Sequence, residues 1–185
     1  MRYSKTVLAF ALSVLFYAHP VTARQDDQRL DPLFASLTKA SDRAEAKSLE
    51  QAIWHIWLLS GNETEDLLMF QGVQQMRQGG FKQAAFLFTA IIEMDPQFAE
   101  AWNKRATVRF LMGDLEGSID DVVRALELEP RHFGALAGLG QIYEKLKDVP
   151  LAITAFEKAV AINPHMSFVE QKLRQLKIKR DSNKI

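Results

Sequence analysis

Cysteine is absent from all 185 residues, which removes a disulfide framework, a thiolate metal site, a catalytic thiol and a lipid attached through sulfur. An excess of one charge is missing too. Lys and Arg number 23 against 23 Asp and Glu, so the chain lacks the basic footprint of a nucleic-acid binder. Histidine is scarce, and His55, His132 and His165 have no further ligand type three or four residues on. No G-x-S-x-G, H-E-x-x-H or phosphate-binding loop occurs. These absences assign no catalytic residue, no metal ligand and no cofactor, and they predict a chain that is not an enzyme. Long apolar runs are lacking as well: Thr6 to Ala18 is uncharged and mostly apolar, but its 13 residues fall short of the roughly 20 that a spanning helix needs.

That run follows Arg2 and Lys5 and ends near Val21-Thr22-Ala23, small residues suited to a signal peptidase. Residues 1–23 therefore read as a secretory signal peptide, with Arg24 opening the mature chain and no membrane span left after cleavage. Without Arg2 and Lys5 the mature chain lies two charges to the acid side of neutral. Its length suits one domain. Residues 24–30 are polar and without period, and read as a mobile tail.

What the chain has instead is one pattern written three times. Asp95-Pro96, Glu129-Pro130 and Asn163-Pro164 fall 34 residues apart, each after an apolar run. In that register, residues 65–98, 99–132 and 133–166 align without an insertion. Gly72, Ala106 and Gly140 share the eighth position, and Ala84, Ser118 and Ala152 the twentieth, where two helix backbones must come close. Leu68, Trp102 and Leu136 share the fourth position, read as core, and Phe88, Val122 and Phe156 the twenty-fourth. Gly79-Gly80, Gly113-Asp114 and Lys147-Asp148 supply the turn inside each unit, and the prolines stop the second helix. A unit of about 34 residues is too small to bury its own apolar face, so neighbours stack and share a core.

Period and residue classes together resemble the tetratricopeptide repeat (TPR). The resemblance implies an all-α protein, a right-handed α-α superhelix of three repeats over residues 65–166. Residues 31–62 form two helices that miss the register and read as an N-terminal helical cap; Asp31-Pro32 opens the first and Asp42-x-x-Glu45 the second. Residues 167–185 read as a C-terminal capping helix and tail, apolar at Phe168, Val169, Leu173 and Leu176. Trp54 and Trp57 load the second cap helix so heavily that it must be covered, and the expected cover is the open end of the first repeat at Leu67, Leu68 and Phe86 or Leu87.

In the family, the first helix of each unit lines a concave groove that holds a segment of another protein. Carried over, the groove residues are Met69, Val73, Met76, Asn103, Thr107, Phe110 and Gln141, an apolar strip with two amides for a peptide backbone. The family's two-carboxylate clamp is missing, since Met69, Val73, Lys104, Gly134 and Gly138 occupy its positions. The partner is thus another protein, through a peptide or a helix, and not nucleic acid. The strip can equally be covered in cis by the N-terminal helices or by a second copy of the chain, so self-assembly is the alternative. Arg105 and Arg109 stand where the family more often has leucine and tyrosine, and Glu116, Asp120 or Asp121 are their expected partners. Signal, tryptophan-bearing cap and three repeats look like small exported repeat proteins of Gram-negative bacteria, which implies a periplasmic location.

Overall fold

A computed structural model of the chain describes residues 25–182; the expected signal peptide, residues 1–23, lies outside the described residues. Among those described there are nine α-helices and no strand. None of the helices is long and apolar enough to cross a membrane.

Three antiparallel pairs carry the repeats: α3 (Glu63–Arg77) with α4 (Phe81–Met94), α5 (Ala99–Met112) with α6 (Leu115–Leu128), and α7 (Phe133–Lys145) with α8 (Val149–Ile162). Local chemistry sets their ends. Asn62 caps α3 by accepting from Thr64 N and Glu65 N, Asp114 caps α6 from Gly117 N, and Asp148 caps α8 from Leu151 N. The turns inside the units need left-handed backbone, supplied by Gly79 (φ 79°), Gly113 (φ 87°) and, in the third unit, Lys147 (φ 63°). Between units the same device recurs. Asp95 Oδ1, Glu129 Oε1 and Asn163 Oδ1 accept the backbone N–H two residues on, at 2.9, 2.9 and 3.0 Å.

The small positions act as the register requires. A Cβ on Gly72 would fall 2.5 Å from the Phe88 ring, and one on Gly140 would fall 2.4 Å from the Phe156 ring. In the middle unit Ser118 Oγ donates to Ala106 O at 2.7 Å across the same contact. Phe88 and Phe156 are fully buried, each contributing about 1.5–3 kcal/mol. Trp102, expected in the core, is only half-buried: its indole N–H reaches Pro96 O at 3.0 Å and Arg105 lies over its outer face. Arg105 and Arg109 converge on Asp121, the former through paired bonds of 2.9 and 2.7 Å. Helix α9 (Ser167–Ser182) closes the C-terminal end with Val169, Leu173 and Leu176, while Phe168, expected on its apolar side, is exposed.

The N-terminal helices depart from expectation. α1 (Leu30–Lys39) and α2 (Arg43–Trp57) form a hairpin that does not lie on the first repeat. Its buried residues, Leu30, Phe34, Leu37, Ile53, Ile56 and Trp57 among them, close around Phe133 with Ile162 and Met166 alongside. The hairpin is thereby laid along the turns between the units. Gln25 bonds Gln97 O and Ala99 N at the first junction, Asp31 pairs with Arg131 at 2.7 Å at the second, and Leu37 O receives His165 Nε2 at 3.1 Å at the third. Residues 25–29 are tied down and are not a loose tail. Asp27 Oδ1 accepts Arg29 N at 2.8 Å, the same turn that Asp95 makes two 34-residue periods later. The physical reason is Phe133: it opens the third unit on the turn side, and the rings of Phe34, Trp54 and Trp57 close over it.

Candidate protein-binding groove

The concave surface is built by the first helices of the units, α3, α5 and α7, with α9 at the end. The expected strip does not run its whole length. Met69 is 2% exposed and packs with Phe88 and Ile91, and Val73 and Met76 lean on the same cluster half-buried. Burial against the apolar cluster of Phe88, Ile91, Ile92 and Phe98 turns these three side chains inward. Asn103, Thr107, Phe110 and Gln141, by contrast, come together around one recess of about 130 Å³ between α5 and α7. Val122 and Ile142 line its apolar depth, and Gly134 and Gly138 belong to its α7 wall.

Asn103 is less available than its position suggests. Its amide nitrogen donates to Glu100 Oε2 at 2.8 Å, inside a buried network. Glu100 Oε2 also lies 2.8 Å from His132 Nε2, and Glu100 Oε1 lies 2.8 Å from Lys104 Nζ. His132 Nδ1 accepts Ala135 N at 3.1 Å as the cap of α7, so the imidazole proton sits on Nε2 and is given to Glu100. Burial alone would raise the Glu100 carboxyl, but the Lys104 charge and the His132 hydrogen bond outweigh it and hold the pKa at about 2. Of the two amides, Gln141 is the one left facing the recess half-exposed.

The hairpin walls the groove on the turn side. Trp57 stacks on His132 with centroids 4.2 Å apart and planes 15° off parallel. Trp54 presses on α7 at Gly134, where a Cβ would fall 2.5 Å from its ring, and Lys104 Nζ stands 5.0 Å over that ring. Sequence reasoning missed Gly134 as a contact; the signal was a run of three glycines, 134, 138 and 140, inside one helix. At the opposite end the recess opens into a wider trough of about 390 Å³ between Phe110, Lys145, Phe168 and Lys172. Lys145 Nζ lies 4.9 Å over the Phe110 ring, and Lys172 pairs with Glu144 at 2.8 Å. No cluster of metal-ligating side chains occurs among the described residues.

A stack of helix pairs with a walled concave face defines a helical-repeat interaction solenoid. Two tetratricopeptide repeat profiles match, over residues 71–126 and 134–166. A TPR repeat-containing protein of Rhizobium etli is 33% identical over 157 residues, 85% of this chain and 77% of that one. The chain belongs to the tetratricopeptide repeat family. Its fold is similar to the first TPR of Spaghetti (RPAP3) bound to the HSP90 peptide SRMEEVD, at TM-score 0.62 and 18% identity over 64% of this chain and 94% of that one. It is likewise similar to the Yersinia enterocolitica type III secretion chaperone SycD in complex with a peptide of the translocator YopD, at TM-score 0.61 and 14% identity over 64% and 96%. TPR domains of this kind are protein-interaction modules, generally without catalysis.

Proposed function

We propose that the chain is an exported, non-catalytic adaptor or assembly factor that holds a peptide or helix of an envelope protein against the recess between α5 and α7. The observation that carries this reading is the recess itself: an apolar floor at Val122 and Ile142, an aromatic wall at Phe110 and a polar rim at Thr107 and Gln141. Its partner is a segment rather than a whole surface, because the hairpin already occupies the turn side. Peptides held by two solved TPR neighbours support the same mode. Export rests on the sequence of residues 1–23 and gives a periplasmic site of action. Intact mass of protein recovered from the periplasm should begin at Arg24; recovery with Met1 from a membrane fraction contradicts export. Crosslinking pull-down of the mature protein should capture a partner that Phe110→Glu loses while helicity is kept, and equal capture by Phe110→Glu overturns the groove.

A second reading, self-assembly, is favoured by a different surface. With the hairpin folded away, the open side of the first unit shows Leu67 at 55% and Phe70 at 61% exposure, three residues apart on α3. A second copy would meet the chain there rather than by closing the groove.

A further inference from the structure

Helices α3 and α7 hold four glycines, three of them in the helix interior, although glycine is among the least favourable residues there. Three of the four are explained by an aromatic ring lying where a Cβ would be: Phe88 on Gly72, Phe156 on Gly140 and Trp54 on Gly134. Gly138 differs. A Cβ there would meet nothing within 4 Å, and the residue lies in the α7 wall of the recess beside Gln141. We propose that Gly138 is the seat of an aromatic side chain from a bound peptide, so that the partner supplies the fourth ring-on-glycine contact. The proposal rests on the groove reading and names the chemistry it selects.

Size and lining agree with this occupant. The recess of about 130 Å³ is close to the roughly 150 Å³ cavity that accommodates benzene in an apolar protein interior. Phe110 offers a ring for an edge-to-face contact, and Val122 and Ile142 make the floor apolar, which disfavours a carboxylate through desolvation. Gln141, on the rim, has an amide able both to donate to and to accept from the peptide backbone beside the ring. Trp54, four residues along α7 at Gly134, shows the same approach already made by a ring of this chain.

The test titrates the isotope-labelled mature protein with blocked tripeptides Ala-Phe-Ala, Ala-Trp-Ala, Ala-Leu-Ala and Ala-Asp-Ala, following backbone amides by NMR. The two aromatic peptides should move Gly138, Gln141 and Thr107 saturably, at least about tenfold more tightly than the leucyl peptide, with the aspartyl peptide inert. Gly138→Leu should abolish the shifts by filling the seat with its own side chain, and Gly138→Ala should weaken them while its melting temperature holds or rises. Equal binding of the leucyl or aspartyl peptide overturns the aromatic seat. So does aromatic binding that survives Gly138→Leu, or an aromatic peptide that leaves Gly138 unmoved. Failure of the groove as a whole shows separately, as capture unaffected by Phe110→Glu.

Discussion

At the scale of residues, the buried set Glu100, His132 and Asn103, with the half-buried Lys104, ties α5 to the start of α7 directly beneath the stacked Trp57. A charge at that depth is tolerated only because three donors meet it. Its folded pKa of about 2 lies below the ordinary 4.5, so its stabilising contribution is complete above pH 4.5 and is lost as pH falls towards 2. Urea midpoints measured across that window should fall more steeply for the wild type than for Glu100→Gln; parallel slopes contradict the pairing. Lys147 gives a second residue-scale prediction. It takes the left-handed turn that Gly79 and Gly113 take in the other units, and a side chain there costs roughly 1–2 kcal/mol. Lys147→Gly should raise the unfolding free energy by about 0.5–1 kcal/mol once the greater chain entropy of glycine is subtracted, and a lower urea midpoint would count against it.

At the scale of elements, the decisive piece is the α1–α2 hairpin. Six large side chains buried by it, each worth roughly 1.5–3 kcal/mol before the entropy of ordering the segment, anchor it as a wall of the groove. Trp57→Ala should therefore cost about 3–5 kcal/mol, and the half-buried Trp102→Ala clearly less. Urea midpoints in the reverse order would place the hairpin elsewhere. The helices of the repeats were legible in the sequence because the 34-residue spacing repeats the proline stops, the small residues at the eighth and twentieth positions and the apolar residue at the twenty-fourth. The hairpin's address was not. Its helices were readable from Pro32 and Asp42, but their covering surface is Phe133, a hundred residues away, and no local period encodes that contact. The groove shared this limit. Position alone placed Asn103, Thr107, Phe110 and Gln141 around one recess, whereas Met69 turned inward because packing over Phe88 outweighs a positional rule.

At the scale of the whole molecule, the hairpin's fold-back has two consequences: it narrows the groove to the recess and trough between α5, α7 and α9, and it leaves the open side of the first unit exposed. If the exposed pair on α3 mediates self-association, Leu67→Glu with Phe70→Glu lowers the mass seen by sedimentation to that of one chain; wild type that is already monomeric at high concentration removes that surface as a dimer contact. The recess makes the stronger claim. The most direct measurement places a photo-crosslinking residue at Gln141 and, in a second variant, at the exposed Val123 on α6, and irradiates both where the native partners are present. The account predicts a discrete heterologous adduct from position 141 that disappears with Gly138→Leu and is absent from position 123. An adduct of the same partner from position 123, with none from position 141, would contradict it.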